Sequence, residues 1–400
     1  MSGPTRSPYA LVLPALAAFA LAACNGDSAT LGPAGPDSGL GGHPSLATLE
    51  WNVLARSAIE KFKPNQQAAL RGLAYLTLAQ YGAADAAYGE RFSRPASTQG
   101  AVAGASAVVL TYLYPADSAQ FDAEVRAREA ALQGGRQAAF RSGETLGRAV
   151  GAKAVALARA DRFDAAWNST VPTGPGIWYS SAVPAAAPAL PLLGQVEPFF
   201  LTAGNQFRPA PPPAFGSPAF GAAVSEVRGI ADTRTARQDS IAKFWALGTG
   251  SLIAGFWNST AAALIERHRL DERDAAHALA LMNAAAMDGL IACADAKFAY
   301  WLLRPSQADP AIQLAIGLPN FPSYPSNHAC FSGSAAYVLG ALFPAEAQRL
   351  EQMAYEAGIS RIYGGIHYRF DSDVGLELAR QITRLALDSD AAGRLLGLLR

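Results

Sequence analysis

The chain has 400 residues, half of them hydrophobic, enough to bury a substantial core in one large domain or two small ones. Only 16% are charged, 32 basic against 32 acidic, for a formal charge of zero. That balance excludes general nucleic-acid binding and long-range steering of anions, so any anion site must be a local cluster of cations.

The first 23 residues are read as a secretory signal. A polar start with one arginine leads into an apolar stretch from Ala10 to Ala23, short for a membrane span but suited to secretion. Leu21-Ala22-Ala23-Cys24 resembles the bacterial lipobox, which implies that Cys24 is lipidated and anchors the chain to a membrane. An ordinary secretion signal with an incidental cysteine is the alternative. Asn25 after the cysteine is compatible with sorting to the outer membrane, and so with the periplasmic face of the bacterial envelope. Residues 24–44, rich in Gly, Ser, Pro and Asp, form a flexible tether.

From 45 to 400 the text predicts one all-α domain, because alanine dominates and alternating Val, Ile and Thr runs are rare. Residues 45–165 read as N-terminal helices; in the first, Leu46, Leu49, Val53, Leu54 and Ile59 form a stripe. Residues 166–218 lack sustained period and are rich in proline and aromatics. That composition predicts a covering loop, with Trp178, Tyr179, Phe199 and Phe200 packed over the active-site region of the bundle. Residues 219–400 form a large helical bundle. Within it, 271–304 reads as one long buried helix ending before Pro305, and a later helix is expected to stop at Gly358.

Three clusters in that bundle are candidates for chemistry. Lys297 and Arg304 stand seven residues apart, which on a continuous helix puts both cations on one face about 10 Å apart. Ser326, Asn327 and His328 sit at the mouth of a helix, where unpaired amides and the helix dipole favour an anion. Plain capping is the other reading of that cluster. Arg361, His367 and Asp371 follow; Asp371 either caps the next helix or fixes the tautomer of His367.

Together KFAYWLLRP, YPSNHA and SRIYGGIHYRFD resemble, in order and spacing, the superfamily of type-2 phosphatidic acid phosphatases, class A acid phosphatases and vanadium-dependent haloperoxidases. FPSYPS and RIYGGIH, with the helices and Pro-rich loop ahead of them, are most similar to the bacterial haloperoxidase branch. The resemblance implies that Lys297, Arg304, Ser326, Asn327 and Arg361 hold the oxygens of vanadate or phosphate. It implies that His328 is the acid–base group, that His367 is the vanadium ligand or the phosphate-attacking nucleophile, and that Asp371 orients His367. The expected activity is oxidation of halide by hydrogen peroxide with vanadate as cofactor. The alternative is a periplasmic phosphate-ester hydrolase with a phospho-histidine intermediate and no cofactor. A non-catalytic envelope lipoprotein with a vestigial site is a third reading.

Asn327 departs from the family, which usually has glycine there. Asn tolerates left-handed backbone next best, so the amide remains usable. Phe321 lies on the side where the halide is expected. His43 falls in the tether, and His268 and His277 flank the charged turn HRLDERD and read as solvated. An envelope location permits a Cys293–Cys330 disulfide, although two inert buried thiols are the simpler reading.

Overall fold

Alanine-dominated text becomes helix almost throughout the computed structural model, which describes residues 46–90, 96–247 and 251–400. The expected signal, Cys24 and tether lie outside the described residues. The helices are α1 (Ala47–Phe62), α2 (Gln66–Glu90), α3 (Thr98–Leu113), α4 (Ser118–Ala130), α5 (Gly135–Ala160), α6 (Pro218–Asp232) and α7 (Ala236–Leu247). They continue with α8 (Leu252–His268), α9 (Glu272–Tyr300), α10 (Pro305–Ala308), α11 (Asn327–Leu342), α12 (Ala347–Tyr363), α13 (Arg369–Ala391) and α14 (Arg394–Gly397). Among the described residues the sole strand-like pairing is a bridge between Ile177 and Leu302. The fold is an all-α bundle.

The axis of the bundle is α9, packed by α2, α11 and α13. Asp271 caps its start by accepting from the backbone N–H of Asp274, and Glu272 and Asp274 add negative charge to the first turn. Its apolar composition would suit a membrane span, but 94% of its most apolar window is buried inside the fold, so it is the core helix. Helices α3 and α5 touch backbone to backbone: a Cβ on Gly147 would strike the carbonyl of Ala101. Small residues here let two helices approach closely.

Several sequence expectations are corrected. Val53 is 50% exposed, because α1 buries its Trp51, Ala55, Ala58 and Ile59 face instead. The long helix stops at Tyr300, where Trp301 adopts a left-handed backbone with φ 50°, so Arg304 is not on the helix of Lys297. Gly358 does not end α12; it lies inside the helix, where its missing side chain lets Ser372 of α13 come close.

Residues 161–217 contain no α-helix and lie along the C-terminal half of α9. The backbone N–H groups of Phe199, Phe200 and Leu201 all donate to the buried carboxylate of Asp288. Gly194 rests on Asp295, Trp178 N–H donates to Trp301 O, and Leu303 N–H donates to Gly176 O. Trp178, Phe199 and Phe200 are buried, whereas Tyr179 is exposed.

Candidate active site

Lys297 lies in the last turn of α9 and is buried. Its ammonium donates to the carbonyls of Pro322, at 3.1 Å, of Ser323, at 2.6 Å, and of Pro325. All three of its protons are thereby used to shape the turn before α11. Lys297 therefore contributes positive charge and a fixed loop, with its N–H groups directed to main-chain carbonyls.

After α9 the left-handed Trp301 reverses the chain, and Leu302 bridges to Ile177. This brings Arg304 beneath the same turn. Its Nε donates to Phe321 O at 2.9 Å, and Nη1 donates to Ile366 O at 2.8 Å and to Nε2 of His367 at 2.9 Å. The Phe321 ring faces both cations, 5.3 Å from Lys297 Nζ and 5.0 Å from Arg304 Cζ.

Ser326 occupies the N-cap position of α11 but its hydroxyl makes no capping bond. Asn327 is the first helical residue and is not among the residues with positive φ, so this position does not need glycine's conformational freedom. His328 follows on the first turn; its Nε2 sits 2.8 Å from the carbonyl of Trp245 in α7. A carbonyl only accepts, so Nε2 carries the proton and Nδ1 the lone pair.

Arg361 ends α12, and His367 and Asp371 flank the start of α13. Asp371 Oδ2 accepts from His367 Nδ1 at 2.7 Å, from Ser323 Oγ at 2.6 Å and from Tyr368 N–H at 3.2 Å. The last bond is one arm of a capping box in which Tyr368 is the N-cap and Asp371 the third helical residue, so Asp371 supports the helix start from its first turn and not from the N-cap position read from sequence. With Nδ1–H given to Asp371 and Nε2 accepting from an arginine, His367 is neutral with its lone pair on Nε2.

Electrostatics follow from burial. Desolvation lowers Lys297 to about 8, Arg304 to about 10 and Arg361 to about 9, the last also through repulsion from Arg304. All three remain cations at neutral pH. Burial first, then the neighbouring cations, push His328 and His367 well below the ordinary histidine range. Burial lifts Asp371 to about 6, opposed by the Ser323 hydroxyl. At neutral pH three buried cations thus face one buried carboxylate, an excess of two positive charges. Such a cluster calls for an anionic partner.

The unpaired atoms point the same way. Arg304 Nη2, Ser326 Oγ, and Arg361 Nε and Nη1 are buried without hydrogen-bond partners, as are Asn327 Oδ1 and Asp371 Oδ1. Most of these are donors, in the same cluster as the unprotonated Nε2 of His367, and a tetrahedral or five-coordinate oxyanion would satisfy such a set. Ser323 and the Trp245 carbonyl were not singled out from sequence. Ser323 lies inside the FPSYPS stretch without having been given a role there, and a backbone carbonyl carries no residue-type signal.

The other expectations resolve simply. Cys293 and Cys330 are buried free thiols. His268 is exposed, but His277 is half-buried, with Nε2 2.7 Å from Asp390 and its ring on Tyr81. The solvated reading therefore fails for His277: the turn lies against the body of the fold at that end of α9. Among the described residues no group of three His, Cys, Asp or Glu side chains is placed to hold a simple metal ion.

Buried cations and histidines thus gather between the ends of bundle helices, and comparison with known proteins shows what this arrangement is similar to. Residues 277–389, the segment that carries all three motifs, match the model of the PAP2 superfamily. The fold resembles the crystal structure of a bacterial vanadium-dependent iodoperoxidase, with TM-score 0.74, 22% identity, and coverage of 86% of this chain and 95% of the other. It also resembles a bacterial vanadium-dependent chloroperoxidase. The apo form gives TM-score 0.64 at 12% identity, covering 84% of this chain and 95% of the other. The holo form gives 0.60 at 12%, covering 90% and 95%. At these identities the likeness concerns the fold. No curated protein matches the sequence.

Proposed function

We propose that the protein is a vanadium-dependent haloperoxidase-like enzyme that oxidises halide with hydrogen peroxide. The observation that carries this reading is the set of buried, unpaired donors on Arg304, Ser326 and Arg361 in the cluster of His367, whose Nε2 accepts from Arg304 and whose charged form the Arg361 cation disfavours. Those donors would hold the vanadate oxygens, and His367 Nε2 is the nitrogen able to ligate vanadium. Vanadate, when bound, supplies Lewis-acid activation of peroxide toward attack by halide.

The chain's own residues do the rest. Asp371 keeps the proton on Nδ1 of His367 and so keeps Nε2 bare. Lys297 holds the 322–325 turn in place and adds charge without lending a proton. His328, anchored through Nε2, exposes Nδ1 to take and return a proton. The near-total burial of Lys297, Arg304, Ser326, Arg361 and His367 suits small reactants such as peroxide and halide. Similarity of fold to the iodoperoxidase and chloroperoxidase over nearly the whole chain supports the same reading.

The PAP2 family match supports a second reading, a phosphohydrolase. There Nε2 of His367 attacks phosphorus as the bond to the leaving oxygen breaks, His328 gives that oxygen a proton first taken up on Nδ1, and water then releases phosphate from His367. The deciding experiment assays purified protein, with and without orthovanadate, for peroxide-dependent halogenation and for phosphate-ester hydrolysis. Vanadate-dependent halogenation is expected. Hydrolysis that vanadate inhibits, with no halogenation, would establish the phosphohydrolase instead. We further propose that the enzyme works from a lipid anchor at Cys24 on the periplasmic side of the envelope.

A further inference from the structure

Ser323 lies three residues before Ser326, outside the set that faces the oxyanion, and is fully buried. Each of its polar groups is committed. Its N–H donates to Leu302 O at 2.8 Å, in the segment leading to Arg304. Its carbonyl accepts from Lys297 Nζ at 2.6 Å, and its hydroxyl donates to Asp371 Oδ2 at 2.6 Å. One serine thus ties together the two cation-bearing segments and the partner of His367.

The hydroxyl bond matters because of which oxygen it chooses. Asp371 Oδ2 takes all three donors, Ser323, His367 Nδ1 and Tyr368 N–H, while Oδ1 has none. A carboxylate held at one oxygen from three directions cannot swing away from the imidazole. With Ser323 removed, only His367 itself and one long backbone bond keep Asp371 in place. The hold of Asp371 on Nδ1–H is then weaker, with Arg304 Nη1 at Nε2 as the other contact opposing a proton there, and a share of His367 can carry the proton on Nε2, the atom that must be unprotonated.

We propose that Ser323 is a positioning residue for His367, acting through Asp371 to hold the imidazole in the Nδ1–H tautomer with its lone pair on Nε2. The inference deepens the function proposed above and rests on His367 Nε2 being the ligating or attacking atom. It predicts that donation, and not the volume of the serine, is what counts.

The experiment compares wild type with Ser323→Ala, Ser323→Cys and Ser323→Thr, full chain, using two readouts. One is the nitrogen NMR spectrum of histidine-labelled protein, with His367 assigned by its loss in His367→Asn. The other is the affinity for orthovanadate alone, measured by calorimetry. Wild type and Thr should show His367 wholly as Nδ1–H. Ala and Cys should show a mixture with the Nε2–H form and bind vanadate about 10- to 100-fold more weakly, as loss of such supporting partners does elsewhere. Cys nearly matches Ser in size and donates poorly, so it separates donation from packing even if Ala folds badly. An unchanged His367 tautomer in the Cys variant would overturn the proposal. Wild type that binds no vanadate would sink the peroxidase reading, while the tautomer readout would still judge Ser323.

Discussion

Arg361 brings a guanidinium into the site with both Nε and Nη1 unpaired, where Lys297 has spent its protons on carbonyls. It is therefore expected to make the larger direct contribution to anion binding. Arg361→Ala should lower turnover about 10²-fold or more, the usual scale for losing one donor to a developing oxyanion. Arg361→Lys should recover little of it, since a point charge replaces a planar fork. Steady-state kinetics with a folded variant would check both. The same residues show how far sequence reached. Cations and histidines in a matched order mark the residues that meet in the fold, because buried positive charges call for a shared anionic partner. The proton positions were not legible. They depend on Trp245 O at His328 and on Arg304 at His367, contacts made by segments 83 and 63 residues away.

At the scale of elements, the covering segment depends on Asp288 of α9. Its carboxylate accepts three backbone N–H bonds from Phe199, Phe200 and Leu201, so Asp288→Ala would orphan three buried donors. A loss of about 3 kcal/mol or more is expected in urea unfolding, with new proteolytic cutting between 196 and 202. Burial lifts the Asp288 carboxyl from 3.8 to about 6. A raised folded-state pKa means that the stability it contributes is full below about pH 4 and declines as pH rises through 6. Asp288→Asn should remove that decline, making stability flatter than wild type between about pH 4 and 7. Element boundaries were the least legible feature. Nothing about Trp301 marks a stop, since a bulky residue pays a cost of about 1 kcal/mol or more in left-handed backbone. The reversal is held by the Ile177–Leu302 bridge and by the rings of Trp178 and Phe298 against Trp301. Gly358 looked like an end and is instead a point of close helix contact.

For the whole molecule, zero net charge leaves attraction of the anion to the buried cluster alone. The expected anchor is a separate matter of location. Cys24→Ser should release the protein from membranes into the soluble fraction and abolish labelling by a fatty-acid precursor, with enzyme activity retained. Continued membrane association without the label would remove the lipobox reading.

Composition, helical periodicity and three short motifs were enough to determine an all-α fold and to single out the cations and histidines that the structure buries together, because both follow from residue type and local spacing. Tertiary structure alone decided how that site works: that α9 ends early so Arg304 can turn under His367, that Lys297 braces a loop, and that Ser323 steadies Asp371. Those are contacts between distant segments and backbone atoms, and a linear pattern of side chains carries no record of which carbonyl a buried proton will find.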